Sequence, residues 1–350
     1  VVMSKIYVSL NDCKCGDILA EDINNDKGVT LAAKNTMINK YIKRKLVELN
    51  TEFVWLYKPA ERCTAKKYEL RYSEVQKDYK EAVLLEKQLL NELTINGKLD
   101  YHKMNIISEV VYKNVDESNH VARCLQEIRS MDEYTHTHCV NVSFYSMLIA
   151  KWLNLSAQDI KNTILAGLLH DVGKLKIPEE ILNKKGKLTK EEFDEMKKHT
   201  LYGYELIKDI TEISEEIKNA VLSHHERIDG TGYPFQLTND AIGLYAKIIA
   251  IADVYDAMTQ NRVYKKKVSP FETFQMFLSI GLGIFDTIVL NAFLKNLSTA
   301  YIGSKVLLND GNIGEIAYIP PQHIINPVIN IGGNYIDLAD ERDLKVLTLL

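Results

Sequence analysis

A mainly helical fold, preceded by a small α+β module and followed by a short β-rich extension, is predicted by three observations. From about Arg71 to about residue 300, apolar positions recur at three- and four-residue spacing. Helix-start signatures and prolines confined to connections punctuate that stretch. At both ends of the chain this texture gives way to short β-prone runs separated by turn residues.

Taken in order, residues 1–70 read as a small α+β accessory module. KIYVSL and EFVWLY flank turn signals at Asn11-Asp12, Asn24-Asn25-Asp26 and Lys27-Gly28, with one helix expected at NKYIKRKLVEL. The stretch is too short and wrongly ordered for a βαβ receiver domain. Residues 71–98 form a linker helix in YSEVQKDYKEAVLLEKQLLNEL. Its apolar positions, Val75, Tyr79, Ala82, Val83, Leu89, Leu90 and Leu93, would also serve a homodimer. Residues 99–300 form the helical domain. Ser156 to Asp159 and Thr189 to Glu192 match the S/T-x-x-D/E start signal, and Pro178, Pro234 and Pro270 fall in connections. Residues 301–350 are interrupted by Asn309-Asp310-Gly311, Pro320-Pro321 and Gly332-Gly333, so a few antiparallel strands are expected.

The 350 residues carry a formal net charge of only -4. Such a chain has no general basic field for duplex nucleic acid, so phosphate recognition must come from a local cluster. The start, VVMSKIYV, lacks a basic region followed by a long apolar run, and no window reaches the roughly 18 apolar residues of a membrane span. The five cysteines, Cys13, Cys15, Cys63, Cys124 and Cys139, lack zinc-finger spacing, and Cys13 with Cys15 read as two reduced thiols. A cytoplasmic location is expected.

The chemistry-bearing residues are among the nine histidines. HDVGK, residues 170–174, sets an imidazole, a carboxylate and an ammonium inside apolar helical texture. A buried charge needs a counter-ion, a metal or a wet cleft. HHERIDGTGYP, residues 224–234, is more specific. Adjacent helical residues point about 100° apart, so joint ligation by His224 and His225 requires a helix end or two metals. Gly230 and Gly232 are expected to permit positive φ there, with Pro234 stopping the helix.

HDVGK followed by HHExxDGxGYP resembles the HD-GYP branch of the HD metal-dependent phosphohydrolases, over about residues 100–300. The resemblance implies an HD-type helical bundle that hydrolyses cyclic di-GMP, with pGpG or GMP as the end product. It implies metal ligation by His138, His170, Asp171, His199, His224, His225 and Asp253, with Asp171 bridging two ions. Such a donor set suits iron or manganese and suits calcium poorly. Two ions about 3.5 to 4 Å apart acidify a bridging water and clamp a phosphodiester.

Lys174, one helical turn after His170, is assigned to the transition-state phosphate or the leaving oxygen; the competing reading is a surface lysine. By resemblance, Arg262 and Lys265 contact substrate phosphate, and Gly232 and Tyr233 belong to the substrate-side loop, which is also implied to touch diguanylate cyclase (GGDEF) partners. Family members with a third metal carry a glutamate four residues before the first histidine. Here that position is Tyr134, with Glu133 beside it, so two metals are expected. His102, His120, His136 and His323 match no ligand. A catalytically silent dinucleotide-binding protein is the alternative, which the complete ligand set with Lys174 disfavours. A hydrolase for another nucleotide, such as cyclic GMP-AMP, is a third reading.

Overall fold

In the computed structural model, residues 5–25, 29–34, 36–57, 65–128, 137–260, 268–320, 323–341 and 343–350 are described. The chain divides into two compact units, residues 1–70 with 294–350, and residues 71–293.

The first unit is built on strand alternation. It runs β1 (Lys5–Ser9), β2 (Ile23–Asn24), β3 (Thr30–Ala32), α1 (Lys40–Glu48) and β4 (Phe53–Tyr57). The helix starts at Asn39, whose side chain accepts the Ile42 N–H, as an N-cap should. Strands β1 and β4 pair antiparallel with Tyr7 opposite Trp55. Period-two alternation then sends Val54 and Leu56 into the core and leaves Tyr7, Phe53 and Trp55 exposed. After residue 300 come β5 (Lys305–Leu308), β6 (Ile313–Tyr318), β7 (Val328–Ile331), β8 (Asn334–Asp337) and β9 (Val346–Leu349). They form one antiparallel sheet in the order β8-β7-β6-β5-β9.

Tyr318 and Val328 of that sheet share a core with Leu10, Leu19, Ile38, Ile42 and Leu56. Polar ties reinforce it: Asn39 Nδ2 donates to the Ala317 carbonyl and Tyr41 Oη donates to Asp337, both at 2.9 Å. The two ends of the sequence therefore fold around one hydrophobic core.

The second unit is helical. Its elements are α2 (Ala65–Asn96), α3 (Tyr101–Tyr112), α4 (Ser118–Ile128), α5 (His138–Trp152), α6 (Ala157–Leu169), α7 (Glu179–Leu182), α8 (Lys190–Lys197), α9 (His199–Ile207), α10 (Glu215–Ser223), α11 (Leu244–Thr259), α12 (Pro270–Met276), α13 (Leu282–Ile284) and α14 (Thr287–Thr299). The unit boundaries fall within α2 and α14. Local sequence sets the starts: Ser156 caps α6, and full capping boxes form at Thr189/Glu192 for α8 and Ser269/Glu272 for α12.

The core centres on α5, which is apolar on every face and buried from Val140 through Ala150. Phe144, Met147 and Leu148 have no exposed surface, and each such side chain contributes about 1.5–3 kcal/mol. At Gly167 of α6 an added Cβ would lie 3.0 Å from Ser143 Cα, so the glycine lets α6 sit directly against α5.

Helix α2 buries Val75, Tyr79, Ala82, Glu86, Leu89 and Leu93, one stripe at alternating spacings of four and three. Tyr79 meets Phe144 and donates to Asn141 Oδ1 at 2.7 Å. The stripe is thus engaged inside its own unit rather than left open. Among the described residues, no helix is long and apolar enough to cross a membrane.

Candidate metal centre

Helix ends bring the site together. His138 opens α5, His170 caps the C-terminus of α6, His199 opens α9, and His224 caps the C-terminus of α10. Asp253 projects from the middle of α11. HDVGK therefore does not run through a helix: α6 stops at Leu169, and Val172–Lys176 form a 3₁₀ turn. The glycine of that block explains the turn's position. A Cβ on Gly173 would fall 1.9 Å from the His199 carbonyl oxygen, so only glycine lets the turn lie on the start of α9.

Asp171 with His199, His224 and His225 forms one convergent donor group, and His138 with His170 and Asp171 forms another. Asp171 belongs to both. Asp253 joins them, with Oδ1 3.2 Å from His138 Nε2 and Oδ2 3.9 Å from His225 Nδ1. Placing His224 at the last turn of α10 removes the 100° divergence of the histidine pair: the His224 and His225 ring centroids are 4.1 Å apart.

Three imidazoles are held the same way. Nδ1 of His170, His199 and His224 donates to the carbonyl three residues earlier, of Gly167, Met196 and Val221, each at 2.8 Å. Each ring thereby commits its Nδ1 proton and turns the Nε2 lone pair inward. Two bare nitrogens, His199 Nε2 and His224 Nε2, then face each other at 3.3 Å, and Asp171 Oδ1 lies 3.4 Å from the first. His170 Nε2 and Asp171 Oδ1 are buried without a hydrogen bond. Facing lone pairs repel unless a cation lies among them. The donor set therefore fits divalent metal ions, with imidazoles and carboxylates of the kind transition metals take.

The protonation states agree. Burial lowers the proton affinity of His199 and of His224, and takes His225 down to about 3, so these rings stay neutral. Burial would raise Asp171, yet its neighbours His170 and Lys174 hold it well below the usual carboxylate range. Asp253 is depressed in the same way, chiefly by its bond to His138. His138 differs. Burial would lower it, but its bonds to Asp253 and Asp256 raise it to about 10.

Lys174 Nζ sits 2.5 Å from Asp171 Oδ2, the same oxygen that lies 3.3 Å from His170 Nε2, so both side chains reach one atom. Burial opposes its charge, but Asp171 prevails and raises its proton affinity. Tyr233 lies against the His225 ring, centroids 4.7 Å apart. Gly230 has φ +78°, as its turn requires. Gly232 does not adopt positive φ; a Cβ there would lie 2.4 Å from Arg227 N, so close backbone approach demands glycine. Arg262, Lys265, Glu133, Tyr134 and His136 lie outside the described residues, as does Cys63. The described cysteines Cys13, Cys15, Cys124 and Cys139 are free thiols.

Three residues of the site escaped the sequence reading. Asp256, fully buried, accepts His138 Nδ1–H at 2.7 Å. Its signal was its place one turn after Asp253. Glu226 accepts the N–H groups of Phe235 and Leu237, one on each oxygen, and so folds the GYP loop back. Glu86 of α2 is buried beside Cys139, and burial raises its carboxyl to about 8. Nothing in its apolar stripe announced a role.

Comparison with known proteins agrees with this geometry. Residues 117–286 match the family model of the HD domain. Cyclic di-GMP phosphodiesterase PA4108 of Pseudomonas aeruginosa is 35% identical over 230 residues, which cover 66% of this chain and 55% of that protein. The cyclic di-GMP phosphodiesterase response regulator RpfG of Xanthomonas campestris is 38% identical over 151 residues, 43% of this chain and 40% of that one. A 3'3'-cGAMP-specific phosphodiesterase 1 of Vibrio cholerae is 35% identical over 178 residues, 50% of this chain and 40% of that one. The chain thus spans about half the length of these relatives. Bd1817, an HDG"Y"P protein from Bdellovibrio bacteriovorus, shares the fold with a TM-score of 0.51, covering 83% of this chain and 98% of that chain at 17% identity.

The matched stretch is similar to the HD domain, a helical bundle whose histidines converge at helix ends with Asp253 reaching in from the middle of α11. Its HDVGK and HHERIDGTGYP blocks, both at that convergence, are similar to those of the HD-GYP type.

Proposed function

We propose that this chain is a metal-dependent phosphodiesterase that hydrolyses cyclic di-GMP, with pGpG or GMP as the end product. The observation that carries the reading is the inward convergence of His138, His170, His199, His224, His225, Asp171 and Asp253 from separate elements, with Asp171 common to two donor groups. Iron or manganese suits these donors best. When bound, a divalent pair neutralises charge on the phosphodiester and acidifies water.

The chain's own residues do the rest. The three carbonyl-anchored histidines keep their lone pairs aimed inward before any ligand arrives, so no reorganisation is needed. Lys174 holds a proton beside Asp171, where it steadies the phosphate or protonates the leaving sugar oxygen. Tyr233 presents an aromatic face for a guanine, and Arg262 and Lys265 supply phosphate contacts. Exposed Phe235, next to the GYP loop, suits docking by a GGDEF diguanylate cyclase partner. Exposed Leu70, Leu84 and Ile95 fall on roughly one face of α2 and suit a homodimer. Free thiols fit a cytoplasmic setting.

The test is anaerobic purification with metal analysis, incubation with cyclic di-GMP and separation of products. Conversion by the iron- or manganese-loaded protein supports the reading. Binding without conversion under both metals would replace it with a silent sensor. Faster cleavage of cyclic GMP-AMP would favour a second substrate, in keeping with the Vibrio cholerae relative's name. A Lys174→Ala protein that keeps its metals and full turnover would remove the lysine's role.

A further inference from the structure

Arg227 follows the histidine pair by two residues, and its surroundings are unusual for a partly buried arginine. A guanidinium offers five N–H donors. Among the described residues, the one hydrogen bond it makes runs from Nη1 to the Glu226 carbonyl at 3.2 Å. Among the described residues, no carboxylate lies within ion-pair distance of it.

The acids beside it in sequence are engaged elsewhere. Glu226 receives the Phe235 and Leu237 N–H groups, and Asp229 receives the Thr231 N–H and hydroxyl. The Arg227 backbone lies against Gly232, where an added Cβ would fall 2.4 Å from Arg227 N, and Gly232 precedes Tyr233, whose ring lies against His225 of the metal centre.

The group is nonetheless fixed in place. Its carbon lies 4.8 Å from the ring centroid of Phe285, itself buried, which seats the guanidinium by a cation–π contact. Stacking leaves the donor-bearing edge of a planar guanidinium free, and that edge matches two oxygens of a phosphate. A seated, underpaired cation next to a metal centre is costly unless an anion completes it.

We infer that Arg227 is a substrate-binding residue, taking phosphate oxygens of the bound dinucleotide beside the metal centre. The inference rests on the phosphodiesterase reading for the identity of the substrate, but not for the anion site itself. It adds a cation from within the HHERIDGTGYP block to those already expected from Lys174, Arg262 and Lys265.

Two measurements on the metal-loaded full chain test it. In the first, inorganic phosphate is titrated against wild type, Arg227→Met and Arg227→Lys, with metal content and melting temperature recorded for each. A tenfold or greater loss of phosphate affinity in Arg227→Met, smaller in Arg227→Lys, is expected with metal retained; affinities within twofold of wild type would overturn the proposal. In the second, wild type is treated with phenylglyoxal with and without phosphate and the modified peptides are identified. Protection of Arg227 by phosphate is expected, and its equal modification in both samples would overturn the proposal even if the Met variant fails to fold. With cyclic di-GMP, Arg227→Lys should raise KM more than it lowers kcat. A wild type that protects Arg227 yet cleaves no dinucleotide would overturn the proposed activity and leave this site standing.

Discussion

Substituting Asp256 separates charge from hydrogen bonding at the metal centre. The residue is fully buried, with Oδ2 2.7 Å from His138 Nδ1 and Oδ1 accepting Gln260 Nε2 at 2.9 Å. Asp256→Asn keeps both bonds available: the amide oxygen accepts from His138, and the amide nitrogen donates once Gln260 turns its unbonded Oε1 inward. Only the negative charge is lost. Loss of a carboxylate behind a ligating histidine costs about 10- to 100-fold in metal affinity, or ~1.4–2.7 kcal/mol. Asp256→Ala also leaves the His138 N–H and a Gln260 N–H unpartnered, adding about 1–3 kcal/mol for each in fold stability.

The charge has a second consequence. His138 is held protonated up to about 10 in the metal-free protein, so metal uptake at neutral pH must displace that proton. Asp256→Asn should therefore release fewer protons on uptake near pH 8 than wild type does. The assays are chelator competition with metal analysis, calorimetric titration in two buffers of different ionisation heat, and urea denaturation. Asp256→Asn and Asp256→Ala proteins that bind metal as tightly as wild type, with the same proton release, would refute the reasoning.

Other residues carry predictions of their own. Glu86 binds its proton up to about 8 in the folded protein against 4.5 ordinarily. Between these values the unfolded chain binds fewer protons, so stability falls as pH rises. Metal-free Glu86→Gln should gain on wild type by a few kcal/mol, on the order of one per pH unit, between pH 5 and 8; parallel urea profiles across that window would sink this. Gly173→Ala places a methyl 1.9 Å from the His199 carbonyl, so a loss of ~2–3 kcal/mol in urea unfolding is expected together with weaker metal retention. An unchanged midpoint would show that the turn yields freely. Asp171→Asn, which alters a residue of both donor groups, should empty the site and abolish turnover together. Lost activity with full metal content would mean Asp171 has another task.

The legible parts of the site were those written in consecutive residues. HDVGK and HHERIDGTGYP are each one contiguous run, so neighbouring ligands are fixed by the local chain, and the caps at Ser156 and Thr189 need only the next three residues. What a side chain bonds across the fold was not legible in this way. The pairing of His138 with Asp256 spans 118 residues, and the engagement of Glu226 by the GYP loop is what leaves Arg227 underpaired.

By itself, the sequence determined the helical class of the central stretch and the β character of both ends, because periodicity and capping are local, while the histidines and aspartates were singled out by resemblance to the HD-GYP family. Only the tertiary structure decided that the two chain ends share one core, that four of the histidines sit at helix termini, and which carboxylate stands behind which imidazole. Those outcomes depend on burial and on which groups lie within hydrogen-bond reach, and both are properties of the packed chain rather than of any segment.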